Sequence, residues 1–147
     1  MEQSIETALI GLLRGNAALI SSTTGVGNAS RIKMGWVNKD TVYPCITVNE
    51  NNEPSQPRAG YFASKVRDNS PTIQVDIWLS SEHETFPYTN DDCKAIATIV
   101  DVLLIGTGLT NTRGWKRVSS SGPSPDPSDN RVIHMARRYA FDYTITD

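Results

Sequence analysis

The alternation of apolar and polar positions is clearest over residues 71–106, where it predicts a strand followed by a helix. From Thr72 to Ser80 the side chains alternate, as expected for a strand with one buried face. Four apolar residues share the buried phase: Ile73, Val75, Ile77 and Leu79. Trp78 lies in the opposite phase, so the pattern puts a large aromatic side chain on the face away from this core.

The period then changes to that of an amphipathic helix. Thr89 is a suitable N-cap, and the carboxylates of Asp91 and Asp92 favour the first helical turn. Apolar residues follow at helical spacing: Ile96, Ile99, Val100, Leu103 and Leu104. Gly106 and Gly108 provide a stop signal. We expect this strand and helix to pack on each other and to form the nucleus of the core.

The first half of the chain predicts a helix, two strands and a long loop. Residues 4–14 carry an apolar stripe at helical spacing, and Asn16 is placed to cap a second short turn. Residues 31–36 alternate weakly, and residues 45–50 form a better strand after a leading proline. Residues 50–70 are polar and contain two prolines, so we expect an extended loop.

The second half predicts two further strands. Residues 113–119 form the first, and residues 120–130 contain three prolines among serines and aspartates, which predicts an exposed loop. The last strand, residues 131–146, would span roughly 50 Å if fully extended. Such a length predicts either a bend at Arg137 and Arg138 or a strand that projects beyond its domain.

The order of elements indicates an α+β fold: an antiparallel, mostly meander-like sheet with two helices packed on one face. No βαβ repeat is present, which argues against an α/β fold. A chain of 147 residues is long enough for one domain with a sizeable core. We therefore expect residues 1–147 to form a single domain with extended loops at 50–70 and 120–130.

Composition excludes several classes of protein. The net charge of −2 argues against tight binding of nucleic acid over the whole surface. Cys45 and Cys93 are too few for a disulfide framework or a cysteine metal cage, and we expect both thiols to stay reduced. No apolar run reaches the length of a membrane span, and the first residues lack the basic lead of a signal peptide.

Catalytic signatures are sparse. His83 and His134 are the only histidines, and no Gly-x-Ser-x-Gly motif accompanies them. The run Glu82-His83-Glu84 offers metal-ligating groups without the spacing of a known zinc motif, so a solvated turn is the competing interpretation. We expect no enzymatic activity, catalytic residue, cofactor or metal.

Basic residues gather in the last two strands, which hold six of the fourteen: Arg113, Lys116, Arg117, Arg131, Arg137 and Arg138. They predict either contact with an acidic partner or a solvated outer face, and we favour a protein partner over DNA. Arg137 shares the phase of Met135 and Tyr139, so it needs a carboxylate or a subunit boundary unless it lies at the strand's exposed end.

Aromatic residues in polar surroundings predict a contact surface. Trp78 is on the face opposite the helices, and Tyr61 and Phe62 fall within the polar segment 50–70. Apolar surface that a monomer cannot bury indicates a partner, and the alternative is that the chain's own loops cover these rings.

The order and spacing of these segments resemble the tail terminator (tail completion) proteins of long-tailed bacteriophages. The resemblance covers nearly the whole chain: IETALIGLLRGNAAL, YPCITVNE, TIQVDIWLSSEHE, a helix of the DDCKAIATIVDVLL type and the closing RRYAFDYTI. The most characteristic part is VDIW before a helix, with an aromatic-rich strand at the end. The segments 50–70 and 120–130 look long for the family.

The resemblance implies a structural virion protein without catalytic residues. Such proteins form a ring, typically a hexamer, that caps the tail tube, ends its elongation and meets the head–tail connector. It implies a homo-oligomer located in the virion neck and assembled in the host cytoplasm, with DNA passing through its channel without sequence-specific binding. We assign Tyr61, Phe62, Trp78, Arg137 and Arg138 to contacts between subunits or with the tube.

Two alternatives remain open. The chain could be another neck or tail component, such as a connector, head-closure or tube subunit, which would bind head connectors or polymerise. It could instead be an enzyme or small-ligand domain that uses His83, Glu84 and His134, which predicts a bound metal or ligand-dependent melting.

Overall fold

The computed structural model describes residues 5–21, 25–37, 43–50, 72–80, 88–107, 109, 112–126 and 129–143. Its helical elements are α1 (Ile5–Arg14), α2 (Ala17–Ile20), a 3-10 turn (Ala29–Arg31), α3 (Asn90–Asp101) and a π-helical turn (Val102–Thr107). Its strands are β1 (Ile32–Met34), β2 (Cys45–Glu50), β3 (Thr72–Ser80), β4 (Thr112–Asp126) and β5 (Asp129–Tyr143). The predicted α+β class is confirmed.

The five strands form one mixed sheet in the order β1-β2-β3-β5-β4. The pairs β2–β3, β3–β5 and β4–β5 are antiparallel, so the sheet is mostly antiparallel, as predicted. The order departs from a pure meander because β5 lies between β3 and β4. The two 15-residue strands therefore stand side by side, and β4 forms an edge of the sheet.

Local signals set the helix boundaries where the sequence predicts them. Thr89 caps α3 and forms a capping box with Asp92, whose carboxylate accepts the Thr89 backbone N–H at 2.8 Å. The side chain of Asn16 caps α2 by accepting the Leu19 backbone N–H at 3.1 Å. Gly25 lies so close to α2 that a Cβ atom there would come within 2.0 Å of the Leu19 carbonyl oxygen.

The main core lies between the sheet and the helices, on what we call the helix face. The β3 residues that alternate toward it are buried, as the sequence predicts. α1 packs on β1 and β2, whereas α3 packs on β3, β4 and β5. One continuous cluster joins both helices to the sheet, with Leu9, Leu13, Ile77, Ile96, Val100, Met135, Tyr139 and Phe141 among its members. Burial of this continuous apolar surface is the main stabilising contribution to the fold.

The opposite side of the sheet, the second face, carries a smaller core. Cys45, Trp78 and Val132 form a buried cluster, and Val37 and Tyr43 pack against it. β3 is consequently buried on both sides from Val75 to Leu79, whereas its alternation predicts only one buried side. Segments before β2 cover the second face, a tertiary contact that alternation along β3 does not encode.

β1 is shorter than the predicted strand 31–36 and runs parallel to β2 instead of antiparallel. The physical reason lies in the connection between the two strands. Val37, after β1, and Tyr43, before β2, both pack on the second face, so the chain leaves β1 and enters β2 on the same side of the sheet. A connection that crosses one face joins parallel strands, whereas a tight hairpin joins antiparallel ones.

The structure corrects the prediction of an exposed loop at 120–130. Residues 120–126 continue β4, and β5 begins at residue 129. Pro123 and Pro125 are compatible with this strand because β4 is an edge strand, where a proline need not donate to a ladder. Register shifts along the β4–β5 pair accommodate the irregular sequence. β5 itself stays in unbroken register with β3 through Arg137 and Arg138 and extends past β3 at both ends.

Candidate functional site

The carboxylate of Asp101 joins the last turn of α3 to the long hairpin formed by β4 and β5. Its Oδ2 atom accepts hydrogen bonds from Nη1 of Arg117 on β4, at 2.9 Å, and from Nη1 of Arg137 on β5. Its Oδ1 atom accepts the hydroxyl of Tyr139. An acidic side chain is unfavourable at a helix C-terminus, and the two guanidinium groups offset this cost. Asp101 therefore holds the hairpin against the helix layer.

Arg137 has the carboxylate partner that its phase requires. Its side chain is only 11% exposed, and its ion pair with Asp101 compensates the buried charge. Burial, followed by the hydrogen bond to Asp101, raises the pKa of Tyr139 well above its ordinary value. The predicted alternative of a subunit boundary is therefore not needed to explain Arg137.

A polar chain crosses the second face of the sheet. Nη2 of Arg138 donates to Oε1 of Gln74 at 3.3 Å, and Nε2 of Gln74 donates to both carboxylate oxygens of Asp76 at 3.1 Å. The Asp76 side chain is completely buried, and its Oδ1 atom lies 2.7 Å from Nε2 of His134. Because a buried carboxylate requires partners, these groups explain why the sheet tolerates Asp76.

Aromatic rings cover the end of this polar chain. Trp78 stacks on His134 with ring centroids 3.9 Å apart, and its indole N–H donates to Oγ1 of Thr47 at 3.0 Å. Trp36 packs edge-on against Trp78, at 5.3 Å between centroids. Trp78 is only 2% exposed and Trp36 is 58% exposed. The chain's own residues thus cover Trp78, and Trp36 presents the accessible ring.

The residues assigned to contacts are not brought together as one surface. Trp78 and Arg138 lie on the second face, whereas Arg137 lies on the helix face with Asp101. Tyr61 and Phe62 lie outside the described residues, as do His83 and Glu84. The role of the assigned residues in contacts between subunits or with the tube stays a prediction.

Several basic residues of the last two strands have partners within the chain. Arg117 and Arg137 share Asp101, and Arg138 donates to Gln74. Arg113 stands directly opposite Asp142 in the β4–β5 register. These contacts favour a structural role for Arg117, Arg137 and Arg138.

The two cysteines are separated and buried, on opposite faces of the sheet. Burial raises the pKa of both thiols to about 12, so neither is an activated nucleophile. Among the described residues no three histidine, cysteine or acidic side chains are grouped to hold a metal ion. No helix in the described part of the chain has the length and apolarity to cross a membrane.

Sequence reasoning missed Asp101, Asp76 and Trp36. Asp76 and its neighbour Gln74 were only polar positions in an alternating strand, although a carboxylate in the middle of a central strand signals a buried partner. Asp101 had a weak signal, because it is an acidic residue at the wrong end of a helix. Trp36 had none, since its importance depends on how residues 35–37 return over the sheet.

Comparison with known proteins shows a structural likeness without a sequence match. No protein-family model matches the chain, and no curated protein matches its sequence. A chain in the solved structure described as "Virion of native gene transfer agent (GTA) particle" matches with a TM-score of 0.64 and 10% sequence identity. The match covers 95% of this chain and 94% of that chain. The two chains therefore share a fold over nearly their whole lengths.

Proposed function

We propose that this protein is a structural virion component of the phage type, and that it acts as a tail terminator. In this role it forms a ring, as a hexamer, on the end of the tail tube, stops tube elongation and presents the surface that meets the head–tail connector. The observation that carries the proposal is the fold shared, over almost the whole of both chains, with a chain of a gene transfer agent virion. The resemblance of segment order to tail terminators supports the finer assignment.

The described site chemistry fits a scaffold better than an enzyme. Asp101, Asp76 and the arginines are engaged in hydrogen bonds and ion pairs that fix the hairpin and the two sides of the sheet. His134 stacks on Trp78 and its Nε2 atom contacts the buried carboxylate of Asp76, so the imidazole is engaged in packing and in an ion-pair contact within the sheet. We therefore propose no catalytic role.

The test is to polymerise cognate tail tube protein with and without this chain and to examine the products by negative-stain imaging and native mass measurement. A terminator gives rings, or density on one end of each tube, and shorter tubes as its concentration rises. A protein that remains monomeric and leaves tube length unchanged would contradict the proposal.

A connector, head-closure or tube subunit is the second candidate, because the matched chain is described by its particle and not by its position in it. The same experiment separates the two candidates. Binding to isolated head connectors without capping supports a connector, and self-polymerisation supports a tube subunit.

A further inference from the structure

We draw no further inference here: the strongest candidate, the side-chain cluster of Asp76, Trp78, His134 and the exposed Trp36 on the second face of the sheet, carries none because nothing in the described residues shows what covers it.

Discussion

Loss of the Asp101 carboxylate is expected to release the long hairpin from α3. In Asp101→Ala, the 11%-exposed guanidinium of Arg137 loses its counter-charge and the hydroxyl of Tyr139 loses its acceptor. Removal of one partner of a buried ion pair costs about 3–5 kcal/mol, whereas an exposed pair such as that with Arg117 contributes about 0.2–1 kcal/mol. Because Asp101 is itself partly exposed, we expect a loss near the lower end, about 3 kcal/mol.

The assay is urea unfolding at neutral pH, followed by tryptophan fluorescence and circular dichroism. The midpoint should fall with little change in the denaturant slope, and the melting temperature should drop by about 8 °C. Asp91→Ala, an exposed carboxylate in the first turn of α3, is the matched control and should cost about 0.3–1 kcal/mol.

A double variant tests whether the unpaired charge of Arg137 causes the loss of stability. Asp101→Leu combined with Arg137→Met removes both charges, and it should recover at least half of the stability that Asp101→Leu loses. A loss below about 1 kcal/mol in Asp101→Ala would refute the reasoning, because that is the size expected for a solvent-exposed pair. A double variant as unstable as Asp101→Leu would show that the loss of stability comes from altered packing and not from an unpaired charge.

Three further predictions concern other parts of the fold. Trp78→Ala should lower the free energy of unfolding by about 3–5 kcal/mol, since the ring is buried and its N–H bonds Thr47; chemical denaturation that shows a loss under 1 kcal/mol would contradict this. Stability should fall as the pH rises above about 9, by about 1.4 kcal/mol per pH unit for each thiol, because the folded state holds Cys93 and Cys45 protonated up to about 12. Cys93→Ala should show a shallower decline in melting temperature between pH 9 and 11, and an unchanged slope would argue against a buried thiol. Gly25→Ala should destabilise the protein measurably in thermal melting, because its Cβ would collide with the Leu19 carbonyl, and an unaltered melting temperature would disprove that close approach.

Elements whose pattern is local were predictable from the sequence. β3 has the predicted bounds, α3 begins after the predicted cap at Thr89, and Asn16 caps α2. These elements are determined by capping contacts within a few residues and by the alternation that one buried face requires, and both are visible in the local sequence.

Features that depend on distant neighbours were not predictable. The extension of β4 through Pro123 and Pro125 is acceptable only because β4 is an edge, which the sequence of that segment does not reveal. The burial of Trp78 depends on Trp36 and His134, which are 42 and 56 residues away in the chain. The role of Asp101 depends on hydrogen bonds from three side chains of the β4–β5 hairpin, which its own segment does not predict.

The position of β5 between β3 and β4 has a consequence for how the chain folds as it is synthesised. β3 and β4 leave the ribosome before β5, yet they are not neighbours and cannot complete the sheet with each other. Until residues 129–143 emerge, the edge of β3 that will pair with β5 has no neighbouring strand, and β4 has no partner in the sheet. The nascent chain must therefore wait for a strand that inserts into an existing gap, and this interval is when it is most exposed to misfolding and to chaperone capture.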